Sequence, residues 1–153
     1  MLAFLRTIRG PVRVFLFYPS IILLWELLIH WGSLRVQPFF LPLMLWGYLQ
    51  TRLVSSYRAT HGGGGPGMDT PPKYLVRTGP YAYTRNPIYL GHIIFLVGLT
   101  LFLMSIAAAV LTAVLAFHYR SRVKEDEKRL EGLFGEHYAN YRATVKRWVP
   151  GLF

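Results

Sequence analysis

Long apolar runs alternate with short polar intervals along the chain, and the lengths of the runs set the first expectations. Residues Val12 to Trp31 and Val36 to Val54 are each about 20 residues long, enough at 1.5 Å per residue to cross about 30 Å of hydrocarbon. Both predict membrane spans, over about 12–31 and 36–54. From Ile88 to Tyr119 the chain is again mostly apolar, too long for one crossing and sufficient for two short ones. A reversal near Ser105 predicts a tight antiparallel hairpin, 88–104 and 106–119. The first run reads as a retained helix and not a cleaved leader, because it is long, carries Glu26 and lacks a small-x-small site before Gly32. The expectation is an all-α, polytopic membrane protein. It has one domain over 1–153, four transmembrane helices, a polar loop at 55–87 and a helical tail at 120–153.

Composition agrees with that pattern. Only 16% of the residues are charged and 53% are hydrophobic, whereas a soluble domain carries about 25% charge. Disorder is excluded by the 16% of aromatic residues. The absence of cysteine excludes disulfides, a Cys-ligated metal, an iron–sulfur cluster and a thiol nucleophile. The formal charge is +10, which admits nucleic acid or anionic lipid as a partner. Its distribution decides between them. All but Arg35 of the 17 Lys and Arg fall on one side of the four-span layout, which puts both termini in the cytoplasm and makes the basic charge topological. No nucleic-acid-binding motif appears, so membrane lipids are the expected partner. The oligomeric state is not readable.

The polar chemistry is therefore collected on one side, in the loop Ser55 to Pro87 and the tail from Arg120. The glycine run within His61 to Gly67 lacks the preceding strand of a dinucleotide-binding loop and reads as a linker. Pro80 and Pro87 restrict the backbone around Arg85, and Pro87 suits the first turn of a helix. Gly135 ends the tail helix ahead of a short helix bearing Tyr138 and Tyr141. If the hairpin turns near 105, positions summing to about 210 share a depth. His92 then faces His118, Arg85 and Asn86 are level with Lys124 and Glu125, and Asp126 and Glu127 lie opposite Tyr83 and Thr84. This predicts a charged pocket at the membrane lip, holding an Arg, an amide, carboxylates and phenols beside an apolar wall. Such a site suits a small polar cofactor approached from water and a lipophilic acceptor approached from the bilayer.

At these residues the chain resembles the integral-membrane methyltransferases that include isoprenylcysteine carboxyl methyltransferase and the phospholipid N-methyltransferases. The matching positions are Leu75, Val76, Gly79, Tyr81, Arg85, Pro87 and Tyr89, then Arg122, Glu127, Leu130, Phe134, Gly135, Tyr138, Tyr141 and Pro150. Asn86 stands where the family usually has His, and Asp126 where it has the first of two Glu. The resemblance implies binding of S-adenosylmethionine and methyl transfer to a lipophilic, membrane-soluble acceptor such as a prenylcysteine carboxylate or a phospholipid amine. Carried over by position, the cofactor contacts are Lys73, Tyr74, Leu75, Val76, Gly79, Tyr81, Asn86, Pro87, Ile88, Tyr89, Asp126 and Glu127. Arg85 and Arg122 are the catalytic candidates, clamping a cofactor and an acceptor carboxylate respectively, and Arg122, His92 and His118 are the acceptor contacts. Methyl displacement from a sulfonium needs positioning and a dry site, not an enzyme nucleophile or a metal, and no metal site is expected.

Plainer roles stand beside these. The arginines can neutralise lipid phosphates, the tyrosines can form an interfacial belt, and Glu125 can pair with Arg129 on a solvated helix face. Glu26 reads as an interfacial anchor with His30 at i+4, and Trp148, Leu152 and Phe153 as residues resting at the membrane surface. The competing functions are an NADPH-dependent membrane reductase of sterol-reductase type and a scaffold without turnover.

Overall fold

The computed structural model of the chain describes residues 10–64 and 70–148. Among them there are helices and turns and no strand, so the fold is all-α. Helix α1 runs Gly10–Ile29 and is interrupted by a π-helical turn at Arg13–Phe17, where Tyr18 N–H donates to the Arg13 carbonyl. Pro19 explains the widening. It has no N–H for the Phe15 carbonyl, and its ring crowds that carbonyl out of the α register.

A 3₁₀ turn at Pro38–Phe40, held by Gln37 N–H on the Phe102 carbonyl at 2.7 Å, leads into α2, Leu41–Gly62. Helix α2 begins later than position 36 and continues well past Val54 to a left-handed Gly63 with φ 63°. The extra turns carry Arg58 on a helix, not in a loop. Helix α3, Pro87–Leu103, starts on its proline and ends on Met104, a left-handed residue with φ 47°. Ser105 then caps α4, Ile106–Phe134, by accepting from Ala108 N–H at 3.1 Å. The chain reverses at the residue that the sequence pattern marked. Gly135, with φ 51°, breaks α4 from α5, Glu136–Thr144, and turns the tail back over the loop.

Helices α2 and α3 pack most tightly because glycines line their contact. A Cβ on Gly47 would stand 2.7 Å from the Gly91 carbonyl, and one on Gly91 would stand 2.5 Å from Thr51 Oγ1. Around that contact the core divides into three clusters. Val14, Tyr89, Phe95, Leu96, Leu115, Tyr119 and Val123 fill the middle of the bundle. Ile22, Leu99, Leu103 and Ala108 fill the hairpin tip. Val54, Val76, Tyr81 and Ile88 tie α2 to the loop. Outward-facing apolar side chains are abundant, from Leu28 at 68% exposure to Phe117 at 73% and Leu53 at 69%. Among the described residues, Gly10–Ile29 is the one helix long and apolar enough to cross a membrane by itself, and Pro87–Leu103 is a shorter apolar helix.

One expectation is corrected here. Glu26 is not an interfacial anchor. It is buried at 8% exposure, takes a 2.6 Å hydrogen bond from the Ser105 hydroxyl and lies 3.2 Å from His30 Nε2, so it fastens α1 to the hairpin tip. The local i+4 pattern showed only His30, because Ser105 is distant in sequence. Trp148 is half-buried against the central cluster, where the tail brings it after doubling back at Gly135. Leu152, Phe153, Pro150 and, within the glycine run, Gly65, Pro66 and Gly67 lie outside the described residues.

Candidate functional site

The site forms where four pieces of chain meet: the end of α2, the loop 70–86, the middle of α4, and α5 with the strand-like tail that follows it. Each piece is held by backbone bonds. Gly62 ends α2 and offers its carbonyl to both Lys73 N–H and Tyr74 N–H, at 2.7 and 3.0 Å, which sets the start of the loop. Gly79 takes a positive φ of 58° where a Cβ would meet the Tyr57 ring at 2.7 Å, and a 3₁₀ turn over Gly79–Ala82 then aims Tyr81 inward. The tail closes the far side. Arg85 N–H donates to the Lys146 carbonyl at 3.0 Å, while Thr84 Oγ1 and Asn86 Nδ2 both donate to the Arg147 carbonyl at 3.1 Å. Tyr141 adds its hydroxyl to the Tyr81 carbonyl at 2.7 Å.

Between these pieces lies a cleft lined by Arg58, Leu75, Val76, Tyr81, Arg85, Asn86, Asp126, Glu127, Arg129, Leu130, Tyr138 and Tyr141. Two carboxylates sit among guanidiniums. Glu127 lies 3.3 Å from Arg85 Nη2 and accepts from Arg147 Nε and Nη2 at 3.0 and 2.6 Å. Asp126 accepts from Tyr89 Oη and Arg129 Nη2, both at 2.9 Å. Burial pushes the Asp126 carboxyl above the ordinary carboxylate range, against the Tyr89 hydrogen bond and the charges of Arg129, Arg122 and Arg58. Burial likewise raises Tyr81 against the charge of Arg58, and raises Tyr138 to about 12 with help from Glu127, so both phenols remain hydroxyl donors near neutral pH.

Donors exceed acceptors in this cleft. Tyr81 Oη, Arg85 Nε and Arg85 Nη1 are buried and have no hydrogen-bond partner among the described residues. Buried polar groups are nearly always paired, so three idle donors converging on one cleft mark it as a place for an acceptor-rich ligand. Leu75, Val76 and Leu130 supply an apolar wall beside them.

The sequence-derived candidates divide three ways. Leu75, Val76, Tyr81, Arg85, Asn86, Asp126 and Glu127 line the cleft together. Tyr89 and Pro87 stand just behind it: Tyr89 through its bond to Asp126, and Pro87 as the buried start of α3, its carbonyl taking Gln50 Nε2 at 2.9 Å. Ile88 belongs to the core cluster with Val54, Val76 and Tyr81. Lys73, Tyr74 and Gly79 are exposed on the loop's outer face. Arg122 sits one turn from Asp126 on α4 and bonds Glu125 at 3.4 Å, its charge also acting on Asp126.

The depth rule holds only to about half a turn, and the geometry corrects three pairings. Arg85 meets Glu127 and not Lys124 or Glu125; Asp126 meets Tyr89 and not Tyr83, which is 69% exposed. His118 turns outward, and the side chain facing His92 is Tyr119, with ring centroids 5.8 Å apart. Arg129 pairs with Asp126 at i−3. Arg58, Arg129, Arg147, Tyr138 and Tyr141 were missed as site residues. Tyr138 and Tyr141 lay within the matched motif, and that was the available signal. Arg147 was visible only as positive charge, because its carboxylate partner Glu127 reaches it through the fold.

Comparison with known proteins adds an independent line. Residues 40–137 match the phospholipid methyltransferase family. Protein-S-isoprenylcysteine O-methyltransferase of Schizosaccharomyces pombe is 32% identical over 77 residues, covering 50% of this chain and 33% of the relative. The human protein of the same name is 32% identical over 77 residues, covering 50% and 27%. Methanethiol S-methyltransferase of Crocosphaera subtropica is 34% identical over 70 residues, covering 46% and 27%. The matched stretch thus spans a third or less of these relatives' own lengths.

Proposed function

The chain belongs to the phospholipid methyltransferase family, and from that premise we propose that it transfers a methyl group from S-adenosylmethionine to a lipophilic acceptor held in a membrane. The observation that carries this reading is the donor-rich cleft, with Tyr81 Oη and two Arg85 nitrogens buried and idle next to paired acids and an apolar wall. The residues fit the cofactor's chemistry. Tyr81 and Arg85 match its carboxylate, Asp126 and Glu127 match ribose hydroxyls or the ammonium, and Leu75, Val76 and Leu130 match the uncharged base. When bound, the cofactor supplies a sulfonium methyl that an acceptor lone pair can attack in line.

The chain's own side chains do the remaining work. Arg147 and Glu127 lock the tail over the loop and keep water from the cleft, while Arg85 stays fixed by its contact with Glu127. Tyr89 holds the Asp126 carboxyl in one orientation. Arg122, one turn nearer the hairpin, is positioned to orient an acceptor's polar head. Four helical passes, with both termini and the cleft on the cytoplasmic side, are supported by the outward apolar surface of α1 to α4 and by the one-sided distribution of Lys and Arg.

The test is methyl transfer from radiolabelled S-adenosylmethionine into extracted lipids, alkyl thiols and prenylcysteine analogues by the full chain in detergent. Label in an organic-soluble product, abolished by S-adenosylhomocysteine, supports the reading. Binding of NADPH in place of S-adenosylhomocysteine would move the protein to the reductases.

A further inference from the structure

The exposed face of α4 changes character along its length. The helix runs unbroken from Ile106 to Phe134, and side chains three and four apart on it stand one above another. Ile106, Val110, Val114 and Phe117 come first on that face, each more than half exposed. Arg120, Lys124 and Lys128 continue the same stripe at the same spacing, and all three are exposed. Helix α4 offers them no counter-charge. It carries four acids, and each is engaged by another cation: Glu125 by Arg122 at 3.4 Å, Asp126 by Arg129 at 2.9 Å, Glu127 by Arg85 and Arg147 at 3.3 and 2.6 Å, and Glu131 by Arg142 at 3.0 Å. Among the described residues, the side chains of Arg120, Lys124 and Lys128 make no hydrogen bond or ion pair.

Depth separates this stripe from an ordinary solvated helix face. At 1.5 Å per residue, Phe117 stands about 17 Å along α4 from Ile106, Arg120 about 21 Å, Lys124 about 27 Å and Lys128 about 33 Å. The hydrocarbon of a bilayer is about 30 Å thick. Helix α1, with 20 residues, is about 30 Å long and matches it, whereas α3, with 17 residues, is about 25 Å long and falls short. With the hairpin tip at the far edge of the hydrocarbon, Arg120 and Lys124 therefore point into the cytoplasmic leaflet of an unperturbed bilayer. Any tilt of α4 shortens these projections and sets the cations deeper. Charge in hydrocarbon is costly, and the bilayer answers by thinning while long basic side chains reach towards the phosphates.

We propose that Arg120, Lys124 and Lys128 form a docking surface for anionic phospholipid headgroups, drawn in where the short hairpin thins the cytoplasmic leaflet. Charge complementarity selects an anionic lipid over a zwitterionic one. Three cations without a counter-charge attract net negative charge, and a phosphatidylcholine head brings its own cation along with its phosphate. Successive members of the stripe are about 6 Å apart along the helix, so two of them can share one phosphate. Asp126 and Glu127 lie between Lys124 and Lys128 in sequence and point the other way, into the cleft. Phosphates docked on the stripe thus hold the cleft level with the headgroups, where an acceptor arriving from the bilayer presents its polar end. The proposal rests on the membrane-spanning part of the proposed function and not on methyl transfer.

The experiment is electron paramagnetic resonance of the full chain in phosphatidylcholine vesicles, with chain-labelled phosphatidylglycerol or phosphatidylcholine as trace probes. Labelled lipids in contact with a spanning protein give a motionally restricted signal beside the fluid one. That signal should favour phosphatidylglycerol about threefold, and sodium chloride at about 0.5 M should shrink the preference. The double variant Arg120→Gln/Lys124→Gln should bring the two probes close to parity. Arg52→Gln/Arg77→Gln, which removes two exposed cations away from α4, should keep most of the preference. The restricted phosphatidylcholine signal, unchanged in both variants, reports that they still insert. Equal signals from the two probes in the unsubstituted chain, a preference that survives the α4 variant, or an equal loss in the control each overturn the proposal. No restricted signal from either probe would overturn the membrane-spanning reading together with it. Selectivity that depends on α4 in a chain that never binds S-adenosylhomocysteine would remove the methyl-transfer reading and leave the docking surface standing.

Discussion

Both ends of the α3–α4 hairpin bury acidic side chains, and they treat them in opposite ways. At the tip, Glu26 is matched: one oxygen takes the Ser105 hydroxyl and the other lies against His30, with apolar neighbours around them. At the other end, Asp126 and Glu127 stand among Arg58, Arg85, Arg129 and Arg147, and Tyr81 and Arg85 still have donors to spare. Matched polar groups fix geometry. A surplus of one kind predisposes the site to a ligand of the other kind, and the surplus here is of donors and positive charge. The tip is therefore a fastening, and the cleft is the place where the proposed function seats its ligand.

The largest effect should come from removing the acid that the cleft's cations share. Glu127→Ala leaves Arg85 buried with its counter-charge gone and frees the tail at Arg147, so the folded state should lose about 3–5 kcal/mol in chemical denaturation in micelles. A loss below about 1 kcal/mol would mean that the cleft's ion pairs are no more than solvated contacts. At the tip, Ser105→Ala removes both the N-cap of α4 and the donor to Glu26, for about 2 kcal/mol, with no change in S-adenosylhomocysteine affinity. A fall in that affinity would erase the distinction between the two ends.

Tyr81→Phe sharpens the comparison from the other direction. It deletes a hydroxyl that the folded chain does not use, so stability should hold while S-adenosylhomocysteine affinity drops about tenfold by calorimetry, or about 1.4 kcal/mol. The smallest effect concerns pH. The Asp126 carboxyl is raised in the folded state, so folding favours its protonated form, and the favourable contribution present at low pH is lost as pH rises through the folded value. Asp126→Asn should consequently gain on the unsubstituted chain as pH climbs out of the ordinary carboxylate range towards neutrality. A stability gap that moves the other way would show that the Arg129 and Tyr89 contacts outweigh burial.

Much of the fold could be read from run lengths and breakers. The reversal at Ser105, the proline starting α3 and the glycine ending α4 are local signals, and each acts through its own backbone chemistry. The site was legible to the level of which segments meet, because an antiparallel hairpin aligns distant positions by simple arithmetic. Side-chain direction was not. Successive residues on a helix point about 100° apart, so an offset of one residue swings His118 outward and brings Tyr119 to His92. Glu26 and Arg147 show the other limit. Their partners, Ser105 and Glu127, are far away in sequence, and only the assembled bundle and the folded-back tail reveal them.

Ultraviolet crosslinking of radiolabelled S-adenosylmethionine to the full chain in detergent, followed by peptide mapping, tests the cleft most directly. Label should fall on the peptides carrying Tyr81 and Arg85 or Asp126 through Tyr141, and excess S-adenosylhomocysteine should remove it. Label confined to α1 or the hairpin tip, or label that S-adenosylhomocysteine does not displace, would contradict the account.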